Sequence, residues 1–107
     1  MDDIEIETRT GLKEKDIILL KEILFSNAAV EDAVIYGSRA KGCWKPFSDI
    51  DITLIGENIT HSDLIGLMMR VEDSALPYMV DLNIFSSLSN PALRDHIARV
   101  GISLRKI

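Results

Sequence analysis

The feature that most constrains this chain is the run Asp49-Ile50-Asp51-Ile52-Thr53-Leu54-Ile55, which alternates polar and apolar residues with a period of two. Alternation of that period places Ile50, Ile52 and Leu54 on one face of a strand and Asp49, Asp51 and Thr53 on the other. Aspartate is depleted in strands, yet two stand here at i and i+2. The segment from Tyr78 to Phe85 alternates in the same way. Val80, Leu82 and Ile84 face one side, and Met79, Asp81, Asn83 and Phe85 the other. Two such strands require a sheet with one apolar face for helices and one more open face that carries carboxylates.

The segments around these strands alternate between helix and strand. Thr10 is positioned to cap a first helix from Leu12 to Ser26, with Ile17, Leu20 and Leu24 as its apolar stripe and Ile18, Leu19 and Phe25 in excess of it. Asp32 to Tyr36 is β-prone and stopped by Gly37, which predicts a first strand and a tight turn. Thr60 with Asp63 forms a capping box, followed by Leu64, Met68, Val71 and Ala75 at helical spacing, and Pro77 ends the segment. Asn90-Pro91 opens a last helix with Leu93, Ile97 and Val100 facing inward. Gly101 closes that helix and leaves Ser103 to Ile107 for an edge strand. The predicted class is α+β, a short mixed sheet with helices packed on one face.

Composition narrows the function classes. A chain of 107 residues fits one domain, 1–107, and 47% hydrophobic residues is too apolar for a disordered segment. Twelve Lys and Arg against seventeen Asp and Glu leave a net charge of −5, which argues against a general duplex-binding surface. The single cysteine, Cys43, points to a reducing compartment, the cytoplasm. The start from Met1 to Glu7 is acidic, and no apolar stretch approaches the roughly 20 residues of a membrane span, so a soluble protein is expected.

Asp49, Asp51 and Asp81 are the candidates for chemistry. Side chains at i and i+2 of a strand run parallel from Cα atoms about 6.5–7 Å apart. That separation suits a pair of divalent ions about 3.5–4 Å apart, and all-oxygen ligands select Mg²⁺ or Mn²⁺. The third carboxylate would complete the site or accept a proton from an attacking hydroxyl. The competing reading is a solvated strand face. Upstream, Tyr36-Gly37-Ser38-Arg39-Ala40-Lys41-Gly42 combines two glycines, a hydroxyl and two cations between a strand and a short helix. Gly37 admits backbone approach to an anion, Ser38 offers a hydroxyl, and Arg39 or Lys41 supplies charge, which suits phosphate. A purely structural Gly-Ser turn explains the same residues.

Gly37-Ser38, followed by Asp49-Ile50-Asp51 and then Asp81 in a later strand, resembles the signature of the polymerase-β-type nucleotidyltransferases. Within that superfamily, Gly-Ser-Arg-Ala-Lys-Gly followed by Ser48-Asp49-Ile50-Asp51 is similar to the minimal nucleotidyltransferases, or MNT proteins, across most of the chain. The resemblance implies a mixed-sheet palm, two Mg²⁺ ions on Asp49 and Asp51 with Asp81 as the third, catalytic carboxylate, and Gly37-Ser38 on the phosphates of ATP. Arg39 and Lys41 join the phosphate set, with Lys41 standing where many relatives carry Arg. The implied reaction moves a nucleoside monophosphate from the triphosphate to a hydroxyl and releases pyrophosphate. The resemblance further implies a partner, a small helical HEPN protein acting as a ribonuclease toxin, with the MNT chain as antitoxin, and a homo- or hetero-oligomeric assembly.

Three functions follow. The first is AMP transfer to a hydroxyl of the HEPN partner. The others are steric masking of that partner without catalysis, and transfer to a small-molecule alcohol whose pocket a partner completes. Trp44, Pro46 and Phe47 read as loop anchors, Met68 and Met69 as core and core-edge packing, and neither His61 nor His96 is assigned a role.

Overall fold

The computed structural model describes residues 3–107, so Met1 and Asp2 of the acidic start lie outside the described residues. Its elements are α1 (Asp3–Thr10), α2 (Glu14–Leu24), β1 (Asp32–Tyr36), α3 (Gly37–Lys41), β2 (Ile50–Ile55), α4 (His61–Glu72), β3 (Val80–Ile84), a 3-10 turn (Phe85–Ser87), α5 (Pro91–Val100) and β4 (Ile102–Ser103). The described strands form one mixed sheet in the order β3-β2-β1-β4. β1 runs antiparallel to β2 and β4, and β3 runs parallel to β2.

Register decides which residues share a face. Ile35 lies opposite Ile52 and Ala33 opposite Leu54, while Ile52 pairs with Leu82. These apolar residues, with Ile50, meet Leu20 and Leu24 of α2 and Leu67 and Val71 of α4 in one core. Burying each such side chain stabilises the fold by about 1.5–3 kcal/mol. On the other face Val34 pairs with Thr53 and Tyr36 with Asp51. α2 and α4 thus gather on one face as expected, whereas α5 seats Ile97 on Val34 and Tyr36 across part of the carboxylate face.

The N-terminal region departs from expectation. Residues 3–10 form a helix, although Ile4, Ile6, Thr8 and Thr10 alternate like a strand. Thr10 does not cap the following helix; its Oγ1 donates to the Ile6 carbonyl at 2.7 Å and accepts from the Leu12 N–H. Gly11, at φ 69°, turns the chain after α1 and gives space to Trp44, since a Cβ there would lie 2.4 Å from the indole. Lys13 takes the cap position of α2 without a side-chain cap bond.

The Thr60–Asp63 capping box forms as predicted. Asp63 also accepts from Asn27 Nδ2 at 3.0 Å, which ties the start of α4 to the loop after α2. α4 turns Leu67 and Val71 into the core and leaves Met68 40% and Met69 59% exposed, so the two methionines are not core packing. Of the excess apolar residues on α2, Leu19 packs on the core, Phe25 lies under the Arg105 guanidinium at 4.2 Å, and Ile18 is half exposed.

Candidate active site

The site is built where three strands bring their polar positions into one row. Tyr36 ends β1 opposite Asp51, and Asp51 pairs in register with Asp81 across the parallel β2–β3 seam. Asp49 sits just before β2, two residues ahead of Asp51 and near enough for its charge to act on that carboxyl. Asp49 and Asp81 are exposed and Asp51 is half-buried.

Burial, and then the negative charges of Asp81 and Asp49, push the Asp51 carboxyl above its ordinary range. The face beneath is a polar network. Thr53 Oγ1 donates to Asn83 Oδ1 at 2.5 Å, and Asn83 Nδ2 donates to the Tyr36 hydroxyl at 2.7 Å. Burial raises the Tyr36 phenol, its bond with Asn83 opposes the rise, and the charges of Asp51 and Asp81 add to it.

The glycine turn abuts these carboxylates. Gly37 stands at φ 74°, and a Cβ there would lie 2.3 Å from Asp51 Oδ2. Only glycine combines that backbone conformation with so close an approach. Ser38 is half-buried, and its carbonyl accepts the Cys43 N–H at 3.0 Å, closing the turn on itself. Lys41 is exposed at the end of α3.

Arg39 is placed differently from the expectation of a phosphate ligand. It is 1% exposed; its Nη1 donates to the Thr10 carbonyl at 2.8 Å, and its Nε and Nη2 donate to the Ser48 carbonyl at 3.1 and 2.9 Å. The guanidinium also lies 4.7 Å from the Tyr78 ring centroid and 5.6 Å from that of Trp44. With its donors committed to two carbonyls, Arg39 ties α1 to the 42–49 loop rather than reaching a ligand. Trp44 anchors that loop as expected, but Phe47 at its tip is 95% exposed.

His96 enters the site although its position in the sequence gives no sign of it. From α5 its Nε2 accepts the Gly37 N–H at 3.1 Å, and its ring meets the Tyr36 ring edge-on, with centroids 6.2 Å apart. The Gly37 amide, expected to approach phosphate, is therefore already bonded.

Among the described residues no three His, Cys, Asp or Glu side chains converge as ligands of one ion. The donor chemistry nevertheless suits a hard divalent cation: carboxylates only, mutually repelling, two of them in register on adjacent strands. Such a set leaves coordination positions for oxygens of a bound phosphate. No helix among the described residues is long and apolar enough to cross a membrane.

Comparison with known proteins agrees with this architecture. A chain of a toxin-antitoxin crystal structure with AMP-PNP is 26% identical, with a TM-score of 0.66, over 87% of this chain and 73% of that one. A chain from the complex of tri-AMPylated Shewanella oneidensis HEPN toxin with MNT antitoxin has the same fold, at 20% identity and a TM-score of 0.65 over 85% of this chain and 70% of that one. A nucleotidyltransferase fold from Sulfolobus solfataricus aligns at 21% identity and a TM-score of 0.53, over 94% and 84% of the two chains. No curated protein sequence matches. The profile of the family described as Polymerase beta, Nucleotidyltransferase matches residues 19–106, most of the chain, and the protein belongs to that family.

Proposed function

We propose that this protein is a Mg²⁺-dependent nucleotidyltransferase that moves AMP from ATP to a hydroxyl of a small helical HEPN protein, as the antitoxin of a cytoplasmic toxin-antitoxin pair. The observation that carries the reading is the row of Asp51 and Asp81 in register, with Asp49 at i−2, set directly against the Gly37-Ser38 turn. Similarity to a toxin-antitoxin chain crystallised with an ATP analogue supports the nucleotide and the kind of partner.

Asp49 and Asp51 would hold the metal, with Asp81 beside them. When bound, Mg²⁺ offsets the negative charge of the triphosphate and polarises the α-phosphoryl group. The Ser38 hydroxyl donates to a phosphate oxygen, and Lys41 adds a mobile positive charge at the mouth of the site. The acceptor oxygen attacks the α-phosphorus, its proton passes to Asp81, and the bond to the pyrophosphate oxygen breaks. Arg39 acts on this chemistry only by holding the loop that carries Asp49.

The test mixes the purified chain with the protein encoded by the neighbouring reading frame, Mg²⁺ and ATP labelled on the α-phosphate. Label on the partner, lost with Asp49→Asn/Asp51→Asn, is the expected result. A stable, inactive complex without label would replace catalysis with masking. Absence of any complex, with label on a small-molecule alcohol instead, would replace the partner as acceptor.

A further inference from the structure

The Gly37 peptide is gripped from two sides. On one side its N–H donates to His96 Nε2 at 3.1 Å, a contact that spans 59 positions of sequence. On the other its Cα approaches Asp51 so closely that a Cβ would lie 2.3 Å from Oδ2. The ring that accepts the bond is itself fixed. It stands edge-on to Tyr36, at an interplanar angle of 80°, and the Tyr36 hydroxyl is tied to Asn83 and through it to Thr53. The next residue of α5, Ile97, is buried against Val34 and Tyr36, which sets the height of the helix over the sheet. Accepting from Gly37 requires Nε2 to be the bare nitrogen of the imidazole.

We propose that His96 is a positioning residue of the nucleotide site, fixing through Nε2 the left-handed peptide of Gly37 against Asp51 and so the backbone from which Ser38 extends. This inference rests on the reading of Gly37-Ser38 as the phosphate-binding turn, and it assigns a division of labour within that turn. The Gly37 N–H serves the protein, and the Ser38 hydroxyl serves the ligand. Without the imidazole, the Gly37 amide has to find water, and the turn that carries Ser38 samples other backbone conformations. A neutral hydrogen bond contributes about 0.5–1.5 kcal/mol, which corresponds to roughly two- to tenfold in an equilibrium constant.

The experiment compares the full chain with His96→Ala, His96→Gln and Leu93→Ala. Leu93, on the same helix, packs against the same small cluster, so Leu93→Ala controls for loosening of the helix. Two quantities are measured on each: hydrogen exchange of the Gly37 amide by NMR, and the Kd for a non-hydrolysable ATP analogue with Mg²⁺. In His96→Ala the Gly37 amide should exchange faster and the analogue should bind roughly two- to tenfold more weakly. Gln, whose side-chain oxygen accepts a hydrogen bond, should restore much of both, and Leu93→Ala should lower Tm while leaving Kd unchanged. Unchanged analogue binding in His96→Ala, or equal losses in His96→Ala and Leu93→Ala, would overturn the positioning role while leaving the nucleotide reading intact. A parent chain that binds no analogue would overturn the nucleotide reading and this inference with it.

Discussion

Asp51 is the residue on which stability and chemistry meet. Its carboxyl is held above the ordinary range by burial and by the charges of Asp81 and Asp49. A carboxyl whose folded pKa lies above its unfolded value favours folding at low pH, and that contribution is lost as pH rises through the folded pKa. Asp51→Asn should therefore raise Tm relative to the parent at pH 7, and the gap should shrink as the pH falls to about 4 in a metal-free thermal melt. An equal gap at both values would contradict the clustered-charge account. Arg39 gives the opposite kind of prediction. Arg39→Lys keeps a charge but cannot reach both the Thr10 and Ser48 carbonyls, so it should cost roughly 1.5–3 kcal/mol in denaturant unfolding. At a temperature where the variant is folded, its affinity for nucleotide with Mg²⁺ should fall only as far as the loop carrying Asp49 loosens, and by less than in Asp49→Asn. The two residues also mark what the sequence discloses. Asp49, Asp51 and Asp81 are legible because a period of two assigns faces without knowledge of the fold. Arg39 reads as a phosphate ligand because its neighbours are glycine, serine and lysine, while the carbonyls that claim it lie in a loop and a helix whose approach is tertiary. His96 is illegible for the same reason, since its partner Gly37 is brought to it only when α5 crosses the sheet.

At the scale of elements, the capping box at Thr60 is the best local signal in the chain, and it forms with both reciprocal bonds. Thr60→Ala should cost about 1 kcal/mol and lower Tm without affecting any step of transfer, since α4 packs on the face away from the carboxylates. Asp63 works in the same box and in addition binds Asn27, and both interactions depress its carboxyl. Its contribution to stability is present above the unfolded pKa and fades as pH falls through the lower folded value. The inward face of α4 shows where pattern reading stops. Leu64, Met68 and Val71 fit helical spacing, and so do Leu64, Leu67 and Val71; the second set is the one that packs on the core. α1 shows the same limit more strongly. Its alternating residues mimic a strand, yet they form a helix that buries Ile6 and Thr10 and is followed by the Gly11 turn.

At the scale of the whole molecule, the sheet order β3-β2-β1-β4 puts the strand carrying Asp51 between those carrying Tyr36 and Asp81. Strand existence and the two faces are legible in the sequence; the order is not, because the parallel β2–β3 pairing depends on how α4 carries the chain back over the sheet. A ligand that binds only the folded chain stabilises all of it. At about one hundred times its Kd, an ATP analogue with Mg²⁺ should add about 2.7 kcal/mol of stability. For a chain of this size each kcal/mol corresponds to roughly 4–8 °C in Tm, a shift that the Asp49→Asn/Asp51→Asn variant should not show. Mn²⁺ electron paramagnetic resonance distinguishes a metal-nucleotide site on the carboxylate row from a solvated strand face. The parent chain with an ATP analogue should remove Mn²⁺ from the free-ion signal beyond what the analogue alone removes, and Asp51→Asn should abolish this excess. Identical Mn²⁺ signals for parent and variant would contradict the metal-nucleotide site.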